Sequence, residues 1–163
     1  MVELPEGVRI EEVPVEKRYR SATSALMNRV RRLYEEIYSR FGDEGLELIR
    51  DVSAQFGKEI AERAKKRVKE SDAKSVALYI IRIFNNVRGE GKVVEWGENR
   101  VVIRVNRCPY PFESPELCDA HTTMERVVVE TLGDGLRYYI EKSIPRGDSY
   151  CDHVIEKVCE KGG

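Results

Sequence analysis

Apolar positions recur at steps of three and four after Pro14. Tyr19, Ala22, Leu26, Val30, Leu33 and Ile37 form one stripe of a long helix that Gly42 ends. Asp43 can cap a second helix, in which Leu46, Ile49, Val52, Phe56 and Ile60 repeat the spacing while Glu59, Arg63, Lys66 and Lys69 face water. These two helices are expected to pair antiparallel. A third helix starts near Asp72 or Ala73, carries Val76, Ile80, Ile83 and Phe84, and stops at Asn85, Asn86 and Gly89. From Lys92 the period falls to two. KVVEW and RVVIRVN are β-branched runs joined by Gly97-Glu98-Asn99, a hairpin signature. Met124, Val128, Leu132, Leu136 and Ile140 then predict another helix, interrupted in propensity by Gly133 and Gly135 and ended by Pro145. After a turn at Arg146-Gly147-Asp148, YCDHVIEKV alternates as a strand with Cys151, His153 and Ile155 on one face. The tail EKGG is expected to fray.

The pattern predicts an α+β fold: long amino-terminal helices packed against a small antiparallel sheet. With 163 residues the chain has the size of one domain. Its helical part spans about 14–88, and the hairpin, cysteine loop, helix and last strand span about 91–159. No internal repeat or interdomain linker interrupts it.

Charged residues make up 35% of the chain, and 28 Lys+Arg nearly balance 29 Asp+Glu, so no net field points to nucleic acid. The richness in Glu, Lys and Arg also fits a thermophile's surface. No run approaches the ~18 apolar residues of a membrane span, and the acidic start MVELPEGVRIEEV lacks a secretion signal. A cytoplasmic location follows, with no membrane partner. In that reducing compartment the four cysteines, at 108, 118, 151 and 159, read as ligands or reactive groups rather than disulfides.

Cys118 and His121 are separated by two residues, a spacing that lets both reach one ion from the start of a helix. Cys108 supplies a third candidate from the stiff turn before Pro109, and Cys151, at the start of the last strand, a fourth. Three thiolates and one imidazole match the tetrahedral ligand count of zinc, and thiolates also suit an iron–sulfur cluster. His153 is an alternate ligand on the strand face of Cys151, and Cys159 the least apt. Two other readings of the cysteines stand beside this one: a thiol redox or regulatory pair, and plain core cysteines.

The pattern CP at 108–109, LC at 117–118 and GDSYCD at 147–152, preceded by RLYEEIYSRFGDEGLELIR at 32–50, resembles the L-2-amino-thiazoline-4-carboxylic acid hydrolase-like family. More remotely it resembles the 4-vinyl reductase-like small-molecule-binding domains. The likeness runs from about Tyr19 to Val158 and implies an α+β core and, from the family name, hydrolytic opening of a thiazoline ring. The family pattern has a Cys just beyond the LC cysteine and a Phe after the CD pair. His121 and His153 stand in those places here, and both departures favour metal coordination over a dithiol.

A zinc ion with an open position would make a bound-water nucleophile for attack on a cyclic C–N bond, the chemistry of a metal-dependent hydrolase. Glu125, one turn after His121, is the best-placed general base, with Asp148 and Asp152 behind it. A site closed by four ligands would instead be structural or carry electrons, as in a non-catalytic redox or metal sensor. A third reading needs no metal. A cavity between helices and sheet, lined by Tyr34, Tyr38, Tyr79, Trp96, Tyr138 and Tyr139, holds a small apolar or carboxylate-bearing ligand. No phosphate loop, nucleophile elbow or acyl-transfer triad is present. The first helix is long for a lone domain, and a homodimer would cover its exposed face.

Overall fold

The computed structural model describes residues 12–158, so Cys159 and the tail lie outside the described residues. Helix α1 (Val15–Ala64) is followed by α2 (Ala73–Asn86), the hairpin β1 (Lys92–Trp96) and β2 (Arg100–Val105), and α3 (Pro115–Leu132). Strand β3 (Leu136–Lys142), a single 3₁₀ turn (Ile144–Arg146) and β4 (Cys151–Lys157) complete the chain. The class is the expected α+β.

Within α1 only Gly42 leaves helical space, at φ 54° and ψ −130°. That left-handed backbone, strained for any residue with a Cβ, breaks the helix into two arms, residues 15–41 and 43–64. The arms fold back on one another. A Cβ on Gly45 would stand 2.7 Å from the Ile37 carbonyl oxygen, and Val30, Tyr34, Val52 and Phe56 line one groove. The expected antiparallel pair is therefore present, joined through a single residue. Asp72 caps α2 by accepting from the amides of Lys74 and Ser75 at 2.9 and 3.1 Å. Ser114 caps α3 in the same way through Leu117, with Pro115 in the first turn.

The four strands form one antiparallel sheet in the order β1-β2-β4-β3. Alternation sends Val101, Ile103 and Val105 of β2, Leu136 and Tyr138 of β3, and Cys151 and Ile155 of β4 toward the helices. There they meet Ala73, Val76, Ala77, Ile80 and Phe84 of α2, Val128, Val129 and Leu132 of α3, and Ala61 and Ala64 at the end of α1. A second cluster, Leu46, Ile49, Phe112, Leu117, Cys118 and Ala120, joins α1 to the start of α3. The outer sheet face carries charge. Arg104 meets the buried Asp152 through two 2.8 Å bonds, and Arg100 bonds to Glu95, Glu141, Glu156 and Tyr139.

One expected helix is corrected. Leu136 and Ile140 belong to β3, because α3 stops at Leu132 and the chain turns at Gly133-Asp134-Gly135. Gly135 takes φ 65°, and a Cβ on Gly133 would stand 2.2 Å from the Leu136 side chain. In LRYYIEK the inward set Leu136, Tyr138 and Ile140 has period two. Leu132, Leu136 and Ile140 share the four-residue step of a helix, since a step of four fits both periods.

Gly57 lets α1 approach α3: a Cβ there would lie 2.7 Å from the Met124 carbonyl oxygen and 3.0 Å from Val127. Alanine gains about 1 kcal/mol in helix propensity over glycine, but forcing two backbones apart costs roughly 1–3 kcal/mol. Gly57→Ala is expected to destabilise the fold by about 1 kcal/mol, read as a lower midpoint in urea unfolding.

Candidate functional site

The two arms of α1 spread away from Gly42 and leave a groove between them. Arm one supplies Val30 and Tyr34, and arm two Val52, Ser53, Phe56 and Ile60. Tyr79, Ile83 and Val87 close one side, and His121 and Met124 of α3 with Tyr110 form the floor. The groove encloses about 680 Å³, within the range of small-molecule sites. Its walls are apolar, and three cations, Arg63, Lys66 and Arg67, stand at the end where α1 finishes. Arg63 Nε donates to the Glu59 carbonyl at 3.2 Å.

The His121 ring lies 4.4 Å from Tyr110, 5.3 Å from Phe112 and 5.9 Å from Tyr34, centroid to centroid. Burial among these rings pushes its pKa down to about 4, so it is a neutral part of an aromatic floor at physiological pH. Of the tyrosines expected to line a cavity, Tyr34 and Tyr79 line this groove, and Tyr138 and Tyr139 line a separate small cavity between α3 and β3. Tyr38 packs beside Leu46 and Ile49, Trp96 is exposed under Lys74, and Tyr139 bonds to Glu156 on the outer sheet face.

The described residues do not assemble the expected metal centre. Among the described residues no group of three or more His, Cys, Asp or Glu side chains is placed to hold a metal ion, which overturns the zinc and iron–sulfur readings built on Cys108, Cys118, His121 and Cys151. The proposed ligands face different surroundings. His121 looks into the α1 groove, Cys108 into a separate cavity with Arg88 and Pro109, and Cys118 into a small one with Thr122 and Arg126. Each remaining group already has a local partner. The Cys108 thiol donates to the Tyr110 carbonyl at 2.8 Å, Cys151 Sγ accepts from the Ile144 amide at 3.3 Å, and the alternate ligand His153 shares a 2.5 Å hydrogen bond with the Tyr138 hydroxyl. Burial raises all three thiols, Cys108 to about 11 and Cys118 to about 12, so they are protonated at neutral pH.

Glu125 is the buried charge of this region. It is 6% exposed, and Oε2 has no hydrogen-bond partner. Desolvation raises its pKa to about 7, and its charge is felt by Tyr110, Tyr138, Cys108 and Cys118. None of the described cavities is lined by it. Asp148 accepts from the Ser143 amide at 2.8 Å beside the left-handed Gly147, and Asp152 is tied to Arg104 on the other sheet face. Both therefore serve structure, as turn and sheet positions.

No family model and no curated protein matches the chain. A solved structure does: trafficking protein particle complex subunit 3 from Naegleria fowleri, covalently bound to palmitic acid. The two are 12% identical, the match covers 84% of this chain and 95% of that one, and the TM-score is 0.62. The likeness is one of fold. Among the described residues no helix is long and apolar enough to cross a membrane.

Arg63 and Lys66 read in the sequence as water-facing positions and Arg67 was not singled out; the run ERAKKRVKE was the one available signal of a cationic mouth. Nothing in the spacing of Val52 and Phe56 told a groove wall from a core stripe.

Because the folded-state pKa of Glu125 is raised from 4.5 to about 7, its contribution to stability is fully present below pH 4.5 and is lost as pH rises through 7. His121 and His153, lowered from 6.5 to about 4, have the opposite slope: their contribution is present above pH 6.5 and lost as pH falls through 4. Glu125→Gln is expected to abolish the loss of stability between pH 4.5 and 7 and to raise stability at pH 8 by on the order of 2 kcal/mol, counting 1.4 kcal/mol per unit less the burial of the new amide. Chemical denaturation across that pH range checks it.

Proposed function

We propose that this chain is a binding domain whose α1 groove takes a small amphipathic carboxylate, such as a long-chain fatty acid, without forming a covalent bond. The observation that carries this reading is the union of apolar walls, Val30, Tyr34, Val52, Phe56 and Ile83, with a cationic end of Arg63, Lys66 and Arg67. Transfer of an alkyl chain from water contributes about 0.8 kcal/mol per buried methylene, and the cations select an anionic head. One further point supports it: the palmitic acid held by the structural neighbour. The neighbour's palmitate is covalent, but no described cysteine lines this groove, so the ligand here is exchangeable. The domain works as a homodimer, the partner copy covering the exposed face of α1.

Fluorescence titration with cis-parinaric acid should show saturable binding of one molecule per chain. The double substitution Lys66→Glu and Arg67→Glu should weaken the acid by roughly tenfold, while the methyl ester loses little, because the lost attraction amounts to about 1.4 kcal/mol. Intact-protein mass spectrometry after denaturation should show no added acyl mass. An ester that binds as tightly as the acid, or titrations that never saturate, would end this reading.

A further inference from the structure

The two arms of α1 leave large apolar side chains in solvent. Leu26, Leu33, Leu48, Val52 and Phe56 are between 50% and 62% exposed. At 100° per residue Leu33 stands about 120° round from the buried Met27, and Leu48 about 100° from the buried Ile49. Leu26, Leu33 and Leu48 are thus turned well away from the side that packs into the core, while Val52 and Phe56 stand at its border as walls of the groove. Because the arms run antiparallel, the two sets lie on the same side of the hairpin.

The unpaired charges that flank the three exposed leucines are sorted by arm. Arg29, between Leu26 and Leu33, and Arg32 beside it belong to arm one, while Glu44 and Asp51, on either side of Leu48, belong to arm two. None of the four has an ion-pair partner among the described residues. Their neighbours on the same helix do: Glu16–Arg20, Arg31–Glu35, Glu36–Arg40 and Glu47–Arg50 all pair within one turn. A shallow hollow lined by Ala25, Asn28, Arg29, Arg32 and Leu33 sits on arm one, a seat for an apolar side chain from outside.

We propose that a second copy of this chain covers the strip, hairpin on hairpin about a two-fold axis, with arm one of each copy lying across arm two of the other. A two-fold contact repeats every pair, so Leu26 and Leu33 meet the partner's counterpart of the Leu48, Val52 and Phe56 row twice. Arg29 and Arg32 meet the acidic rim formed by Glu44 and Asp51 twice as well. Charge complementarity selects the second copy over an arbitrary apolar partner. Arms about 30 Å long and about 10 Å wide each give a face on the order of 600 Å² per copy, enough for a moderate, specific dimer. Val52 and Phe56 are also walls of the groove, so the partner roofs the ligand; this last step rests on the proposed fatty-acid reading.

Sedimentation velocity of the full chain at about 50 μM should show a dimer, as expected for a micromolar Kd. The variant Arg29→Glu with Arg32→Glu, and separately Glu44→Lys with Asp51→Lys, should each be folded by circular dichroism yet monomeric, since each now sets like charge against like. Mixed one to one, the two variants should form a heterodimer in which both contact sets are opposite in sign. A monomeric wild type, or variants that dimerise as well as the wild type, or a folded mixture that stays monomeric, would each overturn the interface. The roof has its own readout: the monomeric variants should bind cis-parinaric acid several-fold more weakly than the dimer, and equal affinity would remove that step alone. A wild-type dimer that binds no fatty acid would sink the groove reading and leave the interface standing.

Discussion

The reversal of α1 at Gly42 is the constraint on which the rest of the molecule depends. Fifty residues of uninterrupted helix would form a rod about 75 Å long with no way to bury both of its apolar stripes. One left-handed residue, costing roughly 1–2 kcal/mol for an L-amino acid and far less for glycine, folds that rod into a hairpin. Gly45 then admits the Ile37 backbone, and Gly57 admits α3. The arms touch near the bend and part beyond it. That divergence makes the groove.

Helix α3 divides the interior. It presents His121 and Met124 to the groove, Cys118, Thr122 and Arg126 to a small cavity beside β3, and Glu125 to neither. A helix advances 100° per residue, so side chains three and seven positions apart share a broad face yet can be separated by the elements that wedge against it. Here Tyr110 and Phe112 crowd against the His121 ring. The result is an apolar interior holding one costly carboxyl group, with protonated thiols and neutral imidazoles around it. Opposite this interior, ion pairs and a guanidinium stacked 3.6 Å from the Tyr150 ring cover the outer sheet face.

Much of the fold was legible along the chain because its signals are local. The helical spans of α1 and α2, the start of α2 at Asp72–Ala73, the break at Gly42, the β1–β2 hairpin and the alternation of Cys151, His153 and Ile155 appear where periodicity placed them, whereas Leu26, Leu33, Val52 and Phe56 of the expected α1 stripes stand exposed. Residues 136–142 did not, since a four-residue step satisfies helix and strand alike and only the Gly133–Gly135 turn separates them. The candidate site was less legible. Tyr34 and Tyr79 were singled out as lining residues, but Arg63 and Lys66 at the groove's end read as water-facing positions.

The cysteines show where sequence reasoning runs out. Residue identity and spacing determined that Cys118 and His121 lie within one turn of the same helix and that Cys108 and Cys151 flank the sheet. Whether four such groups meet depends on where each side chain points once its element has packed, and that is set by contacts between elements and loops such as Phe112 on His121 and Ile144 on Cys151. The sequence by itself determined most of the elements and their order, since these rest on interactions spanning a few residues. Only the tertiary structure decided that the arms of α1 part into a groove with a basic end, and that the thiols and imidazoles form no shared ligand set among the described residues, because each of these is a relation between segments that the order of residues does not encode.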